Sequence, residues 1–212
     1  MKVSTSEILD GLMRRHPALE CCREDILQAF ELVLGTYQGG GSVFTCGNGG
    51  SAADADHIAG ELLKNFRRER DIPPDLKLHL LEGDDDGMLL AERLEGSLPA
   101  ISLCSQTAAL TAVANDIAWE LGFAQQLLGL ARDGDSLIAL STSGNARDCV
   151  LAATLAHELG VNVVALTGEQ GGRLAATADA AIRVPAAETY LVQELHVPVY
   201  HALCAMLEEE LF

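Results

Sequence analysis

Val43-Phe44-Thr45-Cys46-Gly47-Asn48-Gly49-Gly50-Ser51-Ala52-Ala53-Asp54-Ala55-Asp56-His57-Ile58-Ala59-Gly60-Glu61 reads as an apolar strand that breaks at glycines and restarts as a helix. Gly47, Gly49 and Gly50 let the backbone bend and approach a ligand closely, and the N–H groups and positive dipole end of the following helix favour phosphate. Further along that helix His57 and Glu61 stand four residues apart and share a face. The segment thus joins an anion grip to two groups suited to acid/base work or metal ligation. Glycines placed only for the turn, with no ligand, are the plainer reading. Gly47 to Ala52 can be forced into the dinucleotide fingerprint G-x-G-x-x-A. The context opposes it, because Arg67-Arg68-Glu69-Arg70-Asp71 stands where a second strand ending in an acidic residue should follow, and no Walker lysine is present.

Outward from this segment, strands and helices alternate. The apolar runs predict strands at 42–46, 100–104, 136–140, 162–167 and 180–184, and helices at 51–66, within 107–130, at 145–159 and at 189–211. The strands are short continuous apolar runs, so both faces of the sheet are covered, as in a doubly wound parallel α/β sheet. Ligands in such sheets bind beyond the carboxyl ends of the strands, where Gly47 and Ser141 fall. Before the first strand, helical intervals over 4–15 and 17–37 mark an N-terminal helical arm within residues 1–40, with Pro17 placed to start the second helix. Pro198 should kink the last helix or mark its true start. Residues 67–98 break the alternation and read as an insertion with one helix over 88–95, in which Asp84 to Asp86 form a solvated acidic turn.

With 49% hydrophobic residues, the 212-residue chain is expected to be a single domain with a substantial core. Its net charge of −17 repels nucleic acid and anionic membranes, so a phosphorylated ligand must be held by local donors. Six cysteines without CxxC spacing suggest reduced thiols. With no apolar signal region and no spanning run, a cytoplasmic protein is expected.

Ser141-Thr142-Ser143-Gly144-Asn145 repeats the first turn's architecture with hydroxyls, after the strand at 136–140. Hydroxyls and helix N-terminal amides satisfy phosphate oxygens without lysine or arginine, although the same residues also serve as N-caps. The cluster, opposite the glycine loop, favours phosphate. At Thr167 to Gly172 a loop reading suffices. A third constellation joins His57 and Glu61 to Gln193-Glu194-Leu195-His196-Val197-Pro198-Val199-Tyr200-His201, whose imidazole, carboxylate and carboxamide groups suit Zn²⁺ or proton transfer. An unbroken helix would hold Gln193 and His201 roughly 12 Å apart, too far for one ion in one chain. Either Pro198 reshapes the helix or a neighbouring subunit supplies one group; the second is favoured.

Together with Asn115-Asp116 and Leu166-Thr167-Gly168, these motifs resemble the sugar isomerase (SIS) domain, and within it the phosphoheptose isomerases, over nearly the whole chain. The resemblance implies a flavodoxin-like five-stranded parallel sheet in a homotetramer with active sites between subunits. It implies interconversion of sedoheptulose 7-phosphate and D-glycero-D-manno-heptose 7-phosphate, a step towards activated heptose for lipopolysaccharide or other surface glycans. Glu61 and His201 match the acid/base pair that moves protons between C1 and C2 through an enediol. His57, Glu61, Gln193 and His201 match zinc positions. Ser51, Ser141, Thr142 and Ser143 match phosphate contacts and Asn48 and Asp116 sugar contacts, with Gly49, Gly50 and Gln193 completing the expected substrate-binding set.

Ala146 stands where the family often has serine, and Asn65 where it tends to have a basic residue, with Lys64 and Arg67 nearby. These departures and the insertion bear on which sugar phosphate is used. A different class remains, the replication initiator-associating adaptors of the same subfamily, which lack the histidine at the position of His201. A third reading keeps the fold as a sensor or isomerase for another sugar phosphate.

Overall fold

The computed structural model describes all 212 residues. Helices α1 (Val3–Arg15) and α2 (Arg23–Gln38) flank a 3-10 turn, Pro17–Cys22, and form the arm. Then follow β1 (Val43–Gly47), α3 (Gly50–Leu63), α4 (Pro74–Leu81), α5 (Asp85–Arg93), β2 (Ala100–Ser102) and α6 (Thr107–Asp116). The second half contains α7 (Gly122–Leu130), β3 (Ser136–Leu140), α8 (Arg147–Glu158), β4 (Asn162–Gly168), α9 (Gly172–Thr177), β5 (Ala180–Val184) and α10 (Thr189–Leu211).

The five strands pair in parallel in the order β2-β1-β3-β4-β5. Their side chains alternate between two cores. Val43, Ile138, Leu140, Val164 and Leu166 join Phe30, Ile58, Val199 and Leu203 from α2, α3 and α10. Phe44, Cys46, Leu137, Ala139, Val163 and Ala165 join Phe123, Leu127, Val150 and Ala153 from α7 and α8. Burial on both faces is why the strands lack apolar–polar alternation. The order reverses between β1 and β3, where Gly47 and Leu140 are register partners, so the loops after these strands open side by side at the switch point.

The region predicted as one helix over 88–95 holds two. Pro73-Pro74 starts α4, because proline fits the first turn. The acidic run opens α5 rather than forming a turn: Asp84 Oδ1 accepts from Gly87 N at 3.1 Å, and Asp85 and Asp86 sit in the first turn. The helix expected within 107–130 is broken: Ile117 and Ala118 leave helical backbone after Asn115 and Asp116, followed by a 3-10 turn at Trp119–Leu121. Pro198 remains inside a continuous α10. All six cysteines are free, and no helix is long and apolar enough to cross a membrane.

Candidate active site

The turn after β1 depends on Gly49, whose φ of +57° at the N-cap of α3 suits only a residue without Cβ. Asn48, Gly49 and Gly50 are exposed, and the Ser51 side chain closes inward. Beside it, Gly144 (φ +66°) closes the second loop; a Cβ there would stand 1.8 Å from the Gly171 carbonyl oxygen, so only glycine fits. Ser141 Oγ accepts from Ala146 N at 3.3 Å and Ser143 Oγ from Asn145 N at 3.2 Å. These hydroxyls therefore cap their own loop, and each retains a proton to donate.

The two loops are tied by a residue that local pattern reading missed. Asp148, in the first turn of α8 and almost fully buried, accepts from Asn48 Nδ2 at 2.9 Å through both Oδ1 and Oδ2. The same carboxylate accepts from Cys149 N at 2.9 Å. The Asn48 amide nitrogen is thereby committed to Asp148, and the acceptor its side chain keeps is the carbonyl oxygen. The only sequence signal was an acidic residue in a helix's first turn, which the dipole alone explains.

A second cluster lies where α3 crosses α10. His57 Nε2 is 3.1 Å from Glu61 Oε1, and His57 Nδ1 is 3.0 Å from Tyr200 Oη, which donates to Asp54 Oδ1 at 3.2 Å. The His201 ring meets His57 edge-on at 5.0 Å between centroids and is walled by Tyr200 and Phe66. Glu61 Oε2 and His201 Nε2 are buried without a hydrogen-bond partner. Two orphaned polar atoms at one spot are costly unless a ligand satisfies them. Burial pushes the His201 pKa down and His57 adds to this, against the pull of Glu61 and Asp54. Its imidazole is thus biased towards the neutral form, able to accept or give a proton. Burial also raises Asp54 above the ordinary carboxylate value, opposed by the Tyr200 hydroxyl. His201 also borders a cleft of about 590 Å³ lined by Arg14, Arg15, Phe66 and Arg67.

His57, Glu61 and His201 come together; Gln193 and Asp116 do not join them. The Gln193 carboxamide packs on the start of α3, where a Cβ on Gly50 would be 2.6 Å from Nε2. Because α10 is continuous through Pro198, Gln193 stays roughly two turns from His201, and the proline does not bring the two together. Asp116 ends α6 exposed, with its carboxylate held by Asn115 Nδ2 at 2.7 Å. His196 is fully buried, and burial takes its pKa down to about 4, partly offset by the Thr167 backbone. Within one chain no three His, Cys, Asp or Glu side chains converge on a common metal position. The chemistry of the donor set nevertheless fits zinc, since Glu61 Oε2 and His201 Nε2 lack partners beside the His57 imidazole.

Profiles of the SIS domain match residues 14–102 and 106–208. A phosphoheptose isomerase of Akkermansia muciniphila is 37% identical over 202 residues, covering 95% of this chain and 94% of the relative. One from Rhodospirillum rubrum is 39% identical over 190 residues, covering 90% and 88%. Among solved structures, phosphoheptose isomerase from Neisseria gonorrhoeae superposes with a TM-score of 0.74 at 34% identity, covering 94% of each chain. That from Francisella tularensis gives 0.75 at 28% identity, covering 96% and 95%.

Proposed function

This chain belongs to the phosphoheptose isomerase family of SIS-domain proteins and is an aldose–ketose isomerase, and we propose that Glu61 and His201 carry its proton transfer. The substrate pair is sedoheptulose 7-phosphate and D-glycero-D-manno-heptose 7-phosphate, interconverted through an enediol. The observation that carries the residue assignment is the pair of buried, unsatisfied atoms, Glu61 Oε2 and His201 Nε2, in one cluster.

The sugar phosphate docks its phosphate against the α3 N-terminus, Gly49, Gly50 and Ser51, and against the hydroxyls of Ser141, Thr142 and Ser143. Asn48 faces the sugar. Glu61 removes the proton from the carbon next to the carbonyl and returns it to the other carbon. Neutral His201 exchanges a proton with the adjacent oxygens, so that neither enediol oxygen carries a full charge alone. His57, Glu61 and His201, with Gln193 from a second subunit, would hold zinc, which when bound polarises the carbonyl oxygen. Gln193 for the ion and Asp116 for the sugar are supplied across subunit boundaries of a homotetramer. Self-association is supported by an apolar surface on α4 and α5, where Leu76, Leu78, Leu81, Met88, Leu89 and Leu90 are exposed. Residence in the cytoplasm is supported by the six free thiols.

Purified protein is expected to isomerise sedoheptulose 7-phosphate, to lose most turnover with chelator, to regain it with zinc, and to scatter light as a tetramer. Turnover of a different aldose or ketose phosphate in place of this one would overturn the substrate. No turnover of any of them would favour an adaptor. A stable monomer with full activity would overturn the shared site.

A further inference from the structure

Proton transfer by Glu61 and His201 leaves unused a chain of hydrogen bonds running Asp54–Tyr200–His57–Glu61. Its links are 3.2 Å from Tyr200 Oη to Asp54 Oδ1, 3.0 Å from Tyr200 Oη to His57 Nδ1, and 3.1 Å from His57 Nε2 to Glu61 Oε1. Tyr200 lies on α10, Asp54 and His57 one turn apart on α3, and the Tyr200 ring is 2% exposed, so the phenol has little freedom to turn elsewhere.

A phenol has a single proton to donate. When the carboxylate of Asp54 takes it, the phenolic oxygen can only accept at His57 Nδ1, so that nitrogen must carry the imidazole proton. In the neutral ring Nε2 is then bare, and it points at Glu61 Oε1. Two electron-rich atoms held at this separation repel each other unless something positive lies between them or beside them. We propose that Asp54 and Tyr200 are positioning residues that lock His57 as its Nδ1–H tautomer, so that the Nε2 lone pair and the Glu61 carboxylate together form a ready-made seat for a cation or a shared proton. Fixing the outer nitrogen of an imidazole so as to orient and sharpen the inner one is the usual task of groups behind a metal-ligating histidine, and losing them costs such sites about 10–100-fold in metal affinity. The role of this seat in turnover rests on the isomerase reading; the tautomer itself does not.

The test is long-range ¹H–¹⁵N correlation NMR of the metal-free protein labelled at histidine, taken at alkaline pH. The six imidazoles are sorted by a His57→Gln spectrum. Wild type is expected to show a protonated Nδ1 and a bare Nε2 at His57. Tyr200→Phe keeps the ring in the core and removes only the hydroxyl; it should shift His57 towards Nε2–H, which then donates to Glu61. Zinc should bind this variant about tenfold or more weaker by competition with a chelating dye. Asp54→Asn retains a carbonyl able to accept the phenol proton and should keep the wild-type tautomer, whereas Asp54→Ala should lose it. An Nε2–H tautomer in wild type would mean that Asp54 is protonated and the chain donates in the opposite direction, and it would overturn the proposal. So would a Tyr200→Phe spectrum identical to wild type at His57. Both readings are obtained without turnover, so a protein that binds another sugar phosphate, or none, would still decide the matter.

Discussion

Glu61→Gln is expected to lower kcat for sugar-phosphate isomerisation by about 10²–10⁴-fold, the range lost when a positioned acid/base is removed, with little change in KM. The substitution preserves length and shape but leaves a carboxamide that cannot take a proton from carbon. Phosphate binding should survive, because Gly49, Gly50, Ser51 and the Ser141–Ser143 turn lie at the strand ends, about two to three turns of α3 away. Steady-state kinetics beside binding of a non-isomerisable sugar phosphate would separate the two effects. Wild-type kcat in the variant would remove Glu61 from the reaction; equal loss of kcat and binding would show a disturbed fold instead.

The largest loss of stability is expected from breaking the ion pair between Arg70 and Glu208. Their side chains are 0% and 1% exposed, and Arg70 Nε donates to Glu208 Oε1 at 2.8 Å. Arg70 also donates to the carbonyls of Leu62 and Glu61, and Glu208 also accepts from Phe66 N and Arg67 N. The Arg70 guanidinium also covers the Phe212 ring at 5.2 Å. This network ties the chain leaving α3 to the end of α10, and holds the backbone at Glu61 itself. Arg70→Met leaves a buried carboxylate with its charged partner gone, which costs about 3–5 kcal/mol. It should appear as a lower urea midpoint at unchanged m-value. A midpoint within error of wild type would mean that water enters and screens the pair.

The pair also sets a pH dependence. Burial pushes the Glu208 carboxyl up, but the Phe66 N–H, Arg70 and the Arg67 N–H together outweigh it and hold its pKa below the ordinary value. A group whose folded pKa is depressed adds stability that is complete above its unfolded pKa, near 4.3 for glutamate, and is lost as pH falls through the folded value. Wild type should therefore lose this contribution only on the acid side. Arg70→Met, with the carboxyl's charged partner gone, should show a shallower acid slope from a lower plateau.

What the sequence revealed divides along physical lines. The strands at 136–140 and 180–184 and the helix at 189–211 fall where their apolar patterns put them. Periodicity and burial are local properties, and in these segments nothing competes with them. The glycine turn was legible for the same reason: Gly49 needs a backbone that other residues avoid. Residues 67–98 were harder, because the leucines of α4 and α5 are largely exposed and follow no buried stripe, and Pro73-Pro74 reads equally as a break or a start. Pro198 misled in the opposite direction, since the packing of Val199, Tyr200 and Leu203 sustains α10 past one missing hydrogen bond.

The candidate site follows the same division. Asn48, Ser51, His57, Glu61, Ser141 and His201 stand out as unusual residue types at regular spacings. Asp148, Tyr200 and Arg70–Glu208 did not, because each finds its partner 100 to 146 residues away, and only the assembled sheet and helices bring them within hydrogen-bond distance. The groups proposed for the chemistry were visible in the sequence; those that hold them in place emerged only with the fold.

Proton transfer at carbon by Glu61 is tested most directly by running the isomerisation in D₂O through many turnovers and measuring deuterium in the aldose by mass spectrometry and NMR. Wild type should place solvent deuterium at C2, and Glu61→Gln should place none over the same period. An aldose that stays unlabelled after many wild-type turnovers would mean that hydrogen crosses between C1 and C2 without meeting an exchangeable base, and would contradict the enediol route and the role of Glu61 together.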